Sequence, residues 1–243
     1  MDVLSCVNEC KLCSEFIKLL PSKDLHTCHL SITLLVLIHH IFFCLIACTS
    51  PIDIIFGLPT STRMTPSEFT DVKDFTKSAV DLLEINNRLA HVSFIPYSDG
   101  AEQIIKLDSL YSKRDLKGVV DRIQQAGSGY NVEEAITRAA ASGFTIFGGT
   151  RPTAPKILVL LVSESTSSDN AVLSAAEKLK SQGVKLITVK IGNKINNNAF
   201  QLASSQPSSK HFFDARSFSD ISDFTREAID SACKGKKEDN GTY

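Results

Sequence analysis

From Ile52 onward, short apolar runs alternate with stretches whose apolar residues recur every three or four positions, and each change of period marks a new element. Ile52 to Leu58 (IDIIFGL) is a short run suited to a strand buried on both faces. Thr65-Pro66-Ser67-Glu68 then opens a helix, with Thr as N-cap, Pro in the first turn and Glu positioned to close a capping box. Phe69, Val72, Phe75, Ala79, Leu82 and Leu83 give that helix one apolar face. Leu89 to Pro96 is the next strand. Ala101 to Leu107 (AEQIIKL) is expected to return beside it through a Ser98-Asp99-Gly100 turn, as a short antiparallel edge strand. Ser112 and Asn131 each cap a helix. Lys156 to Val162 (KILVLLV) is the most apolar strand and is expected at the centre of the sheet. A helix over Asp169 to Gln182, stopped by Gly183, leads into a strand over Val184 to Ile191. His211-Phe212-Phe213 suits a short edge strand, and Phe218 to Ala232 carries a last helical face. Repeated strand–helix–strand units predict a doubly wound α/β fold, with a mostly parallel central sheet and helices on both faces.

The first 47 residues are different. Leu30 to Ala47 (LSITLLVLIHHIFFCLIA) is apolar for eighteen residues, near the lower limit for a bilayer-spanning helix and longer than most signal-peptide cores. Residues 30–47 are therefore expected to act as a secretory signal cleaved after Ala47, or alternatively as a signal-anchor that keeps the protein tethered with the following domain outside. Five of the seven cysteines precede Ala47, and Cys6, Cys10 and Cys13 have a C-x3-C-x2-C spacing used by some iron–sulfur proteins. A short segment before a targeting run has no folded scaffold to hold a cluster, so no metal is expected there. The domain is expected over 48–234, followed by a polar tail over 235–243 in which Asn240-Gly241-Thr242 is a glycosylation sequon.

Composition narrows the function. Of the 243 residues, 26 are basic and 27 acidic; residues 1–47 hold three and four of these, so the remainder is balanced at 23 each. That balance argues against a nucleic-acid partner, since phosphate recognition normally needs a basic surplus. Enzymatic signatures are weak as well. Gly127-Ser128-Gly129 lacks the third glycine of a dinucleotide loop, Gly148-Gly149-Thr150 lacks the lysine of a phosphate loop, and no Gly-x-Ser-x-Gly elbow occurs. His91 and His211 are expected to be structural, and no enzyme activity or cofactor is expected.

Element order and local sequence resemble a von Willebrand factor type A (vWA) domain over about residues 48–234. The resemblance is carried by IDIIFGLPTSTRMTPSEF (52–69), VSFIPYSDGAEQIIKL (92–107), LKGVVDRIQQAGSGYNVEEAI (116–136), PKILVLLVSESTSSD (155–169) and GVKLITVKIG (183–192). The sequence looks most like the vWA domains of extracellular-matrix proteins such as matrilins and collagen-type chains. That implies a secreted protein-interaction or adhesion module with a protein or matrix ligand, such as a collagen-like one. A structural spacer and a membrane-anchored receptor-like protein are the alternatives. The resemblance also implies a disulfide between Cys48 and Cys233, which flank the domain. Many such domains hold Mg²⁺ with Asp-x-Ser-x-Ser after the first strand, plus a Thr and an Asp from later loops. Here the matching positions are Pro59, Ser61, Arg63, Tyr130 and Ser163, followed by Glu164. One of five oxygen ligands survives, both carboxylates are gone and a guanidinium has entered, so no metal is expected. The corresponding ligand face is Ser61, Arg63, Tyr130 and Glu164. Two readings of Arg63 stay open: a fixed charge that replaces the metal toward an acidic partner, or a solvated or Glu164-paired arginine at a site without function.

Overall fold

The computed structural model describes residues 50–233, which lie in a compact unit of the chain, Ile46–Tyr243. The apolar segment 30–47, Cys48, the N-terminal cysteines and Asn240 lie outside the described residues. No described helix is long and apolar enough to cross a membrane.

Five strands form one sheet: β1 (Ile52–Pro59), β2 (Ala90–Tyr97), β3 (Lys156–Val162), β4 (Val184–Ile191) and β5 (Phe212–Ala215). Their order is β2-β1-β3-β4-β5, and every pair is parallel. Parallel strands need crossovers, and the crossovers put helices over both faces, which is why the strands are apolar without a polar alternate. The period of two divides their side chains between two cores. Ile54 and Phe56 of β1, Ile157, Val159 and Leu161 of β3, and Ile187 and Val189 of β4 face one core. It is closed by α1 (Pro66–Asp81), α2 (Lys113–Arg122) and α7 (Thr225–Cys233), with Phe56 stacked on Phe94 at 6.1 Å. Ile55, Leu158, Leu160, Val162 and Leu186 face the other, under α3 (Val132–Arg138), α4 (Asp169–Ser181) and α5 (Asn197–Ala203). A one-turn helix α6 (Ser208–His211) leads into β5.

The local signals hold. Thr65 Oγ1 accepts from Glu68 N while Thr65 N donates to Glu68 Oε2 at 2.7 Å, completing the capping box. Ser112 and Asn131 cap α2 and α3 through their side-chain oxygens. Gly183 follows α4 with φ +76°, a left-handed conformation that side chains with a Cβ resist.

The antiparallel edge strand over Ala101–Leu107 does not form. The segment does turn back along β2: Glu102 N donates to Pro96 O (3.3 Å) and Ile104 N to Phe94 O (3.1 Å), with a single bridge between Tyr97 and Ala101. Pro96 has no N–H to return, and the Ser93 hydroxyl takes the Ile105 carbonyl at 2.6 Å. Without two-way bonds the pairing remains a strap, and the sheet is entirely parallel.

At the opposite end from the strand C-termini, a buried ion pair ties three segments together. Asp53 on β1 is fully buried, and its carboxylate accepts from Arg151 Nε (2.8 Å), Arg151 N (2.6 Å) and Thr150 Oγ1 (3.0 Å). The same guanidinium donates to the carbonyls of Ile52, Arg88 and Leu89, so it joins the starts of β1 and β2 to the approach of β3. His91 sits beside this group, 5.1 Å from the Tyr111 ring, with Nδ1 lacking a hydrogen-bond partner among the described residues. Burial pushes the His91 pKa down, and the Arg151 charge adds to the effect. His211, expected as an edge or loop residue, is buried at the end of α6, and burial with the Lys185 charge lowers its pKa too.

Asp53→Ala strands the Arg151 charge against three carbonyls, and breaking a mostly buried pair is expected to cost about 3–5 kcal/mol in urea unfolding. Burial favours the neutral form of both histidines in the fold, so as pH falls the unfolded chain takes up protons first. Their stabilisation is complete above about pH 6.5 and is lost as pH falls below it. Thermal unfolding midpoints are expected to drop between pH 7.5 and 5, and the slope to flatten in the His91→Gln, His211→Gln double variant.

Candidate functional site

The strand order reverses between β1 and β3: the chain leaves β1 toward β2 on one side and later fills β3 on the other. In an open α/β sheet that reversal opens a crevice at the carboxyl ends of the strands. Here the crevice is bounded by the loop after β1 (60–65), the loop before α3 (124–131) and the loops after β3 and β4.

The β1 loop is held firmly. Thr60 N and Oγ1 both donate to Tyr97 O, at 2.8 and 3.0 Å. Thr62 N and Oγ1 both donate to Gly127 O, at 2.9 and 2.6 Å. Gln125 Nε2 reaches the carbonyls of Ser61 and Met64 at 2.9 Å. The facing loop is pinned in turn by Asp99, which accepts from Ser128 N at 3.1 Å; a Cβ on Gly129 would lie 2.5 Å from its carboxylate, so a larger residue there would have to displace that carboxylate.

The positions singled out in the sequence separate into two groups. Pro59 is buried at the end of β1 and offers no donor. Ser61 is fully buried, and its hydroxyl accepts from Arg63 N at 3.3 Å, so it serves the turn. Arg63, Tyr130, Ser163 and Glu164 instead line one cleft of about 500 Å³. Arg63 NH2 lies 2.6 Å from Glu164 Oε2. Its guanidinium also sits over the Tyr130 ring, 5.5 Å from the centroid, close enough for a cation–π contact. Tyr130 is buried, anchored by Thr166 N to its carbonyl at 2.9 Å. Ser163 Oγ is buried and has no hydrogen-bond partner among the described residues.

Lys194, on the loop after β4, completes the cluster by donating to the other Glu164 oxygen, Oε1. That bond holds the Lys194 pKa above its usual value. Lys194 lies three residues past the end of β4, and no motif in the sequence marks it. One carboxylate thus lies between two cations, where the sequence reading foresaw at most the arginine. Arg216 flanks the same cleft, paired with Asp220 at 3.3 Å.

The vWA domain profile, described as "von Willebrand factor type A domain", matches residues 53–227. Matrilin-1 of Gallus gallus is 27% identical over 184 residues, covering 76% of this chain and 37% of that protein. Matrilin-3 of Gallus gallus is 26% identical over 196 residues, covering 79% of this chain and 43% of that protein. The chain therefore spans well under half the length of these relatives. Proximal thread matrix protein 1 from the mussel byssus superposes with a TM-score of 0.71 over 76% of this chain and 49% of its own, at 22% identity, a likeness of fold. By a profile match covering most of its length and a sheet of the same kind, the chain belongs to the von Willebrand factor type A domain family.

Proposed function

We propose that this chain is an extracellular protein-interaction module that engages a protein or matrix ligand, such as a collagen-like one, through the cleft at the strand C-termini and without Mg²⁺. The observation that carries this reading is the Glu164 carboxylate held between Arg63 and Lys194. Mg²⁺ binds through several oxygens in near-octahedral geometry, carboxylates among them, and sheds its water reluctantly. The residues at the family's metal positions do not fit that demand. Pro59 supplies no ligand, the Ser61 hydroxyl is turned to the backbone, and Tyr130 holds its ring under the arginine. The one carboxylate is neutralised by two cations, and the guanidinium would repel a divalent ion. The similarity to matrilins supports the protein or matrix ligand; the metal independence rests on the side chains at the site alone.

Secretion after Ala47 and glycosylation at Asn240 belong to the same reading, as does a Cys48–Cys233 disulfide. Cys233 ends α7 and is disulfide-bonded. Pairing it with Cys48, four residues before β1, would close nearly the whole domain as a loop and limit the unfolded chain.

Two outcomes test this. Binding of the secreted protein to immobilised collagen and other matrix proteins is expected to be the same in EDTA as in Mg²⁺; loss of binding in EDTA overturns the metal-free reading. Peptide mapping without reduction is expected to join Cys48 to Cys233, and Cys48→Ser to lower the unfolding free energy by up to about 4–5 kcal/mol. Linkage of Cys233 to any other cysteine contradicts the pairing.

A further inference from the structure

Resting on that reading, we propose that Glu164 is an internal latch: its carboxylate occupies a carboxylate-recognition site made by Arg63, Lys194 and Ser163, and an acidic side chain of a protein partner displaces it.

Exposure gives the cluster a direction. The Glu164 side chain is only 14% exposed, whereas Arg63 and Lys194 are 52% and 72% exposed. The carboxylate lies beneath, and both cations turn their outer sides to solvent. Within this cluster two positive charges face one negative charge; the rest of the lining adds Arg216, Glu68 and Asp71, so the positive excess is local to Arg63 and Lys194. Glu164 satisfies one oxygen of each cation contact, yet a guanidinium has five donors and an ammonium three. Both cations can begin to hold a second carboxylate before the first has left.

The exchange conserves chemistry. Glu164 makes charge-assisted bonds, and an incoming Asp or Glu carboxylate makes the same two with the same cations. Because both cations are largely exposed, solvent screens each contact, and release of Glu164 leaves two solvated cations rather than buried ones. The Tyr130 ring under Arg63 keeps the guanidinium at the site when Glu164 moves, because the cation–π contact does not involve the carboxylate.

A second, independent observation points to a ligand. Ser163 Oγ is buried in the wall of this cleft with no hydrogen-bond partner among the described residues, although it directly precedes Glu164. A buried hydroxyl without a partner is uncommon, and an oxygen entering the cleft beside Arg63 supplies one. Two other acids line the cleft: Glu68 closes the α1 capping box, and Asp71 has its pKa raised by burial and by the neighbouring Asp74 and Glu68 charges. At about 500 Å³ the cleft admits one or two side chains of a partner rather than a folded element.

The test uses the full chain in EDTA, with three probes: a blocked pentapeptide containing one glutamate, its glutamine analogue, and glutarate. Affinity is read from NMR shifts of the Arg63 Nε–H and the 127–131 amides, and thermal unfolding confirms that each variant folds. Glu164→Gln, which keeps size and removes the charge, is expected to raise affinity for the glutamate peptide at least tenfold over wild type. Arg63→Ala and Lys194→Ala are each expected to reduce it at least tenfold relative to Glu164→Gln when placed in that background. Unchanged or weaker binding by Glu164→Gln, or equal binding of the glutamine peptide, overturns the latch while leaving metal-free binding intact. Binding by Glu164→Gln only when Mg²⁺ is restored overturns the metal-free reading itself. Tighter binding of glutarate than of the peptide overturns the assignment to a protein partner.

Discussion

Everything in this domain depends on a sheet whose two faces must both be covered. Five parallel strands carry Ile, Leu, Val and Phe on both sides, so each crossover has to deposit an apolar helix face on one core or the other. That requirement fixes the chain path, and the path fixes where the strand order reverses. The reversal between β1 and β3 leaves backbone and polar side chains at the strand ends uncovered by helices, which is why chemistry gathers there. The opposite end carries no such crevice between β1 and β3. It is closed by Asp53 and Arg151, whose buried pair links residues 98 positions apart.

The two ends show two uses of the same charge chemistry. At the closed end the carboxylate is fully buried and its guanidinium is saturated by carbonyls, so the pair acts as a fixed joint. At the open end the carboxylate is mostly covered, but its two cations reach solvent with donors to spare. A joint and an exchangeable site are made from the same groups, and burial decides which one results.

Much of the fold was legible in the sequence because parallel strands buried on both faces are continuous apolar runs. β3 and β4 have the bounds that their apolar runs indicate, and the caps Thr65, Ser112 and Asn131 were readable as local patterns. The return strand over 101–107 failed because apolar content alone does not count donors, and Pro96 removes the one the ladder needed. Helix α5 escaped notice because it begins inside a run of asparagines and spans only seven residues. At the site, Arg63, Tyr130, Ser163 and Glu164 could be placed through the resemblance to the family's motif. Lys194 could not, since its contact with Glu164 spans 30 residues and depends on β4 lying beside β3. Pro59 and Ser61 lie in the motif but turn away from the cleft, one as the last strand residue and the other as a turn acceptor.

The central claim is that fixed cations stand where relatives of this fold place a metal. Its most direct test is a titration of the folded protein with Mn²⁺, a paramagnetic substitute for Mg²⁺, followed by broadening of the amide resonances of residues 60–65, 127–131 and 163–166. The account predicts only weak, unsaturable broadening scattered among the surface carboxylates. Saturable broadening confined to those three loops, reversed by Mg²⁺, would contradict it.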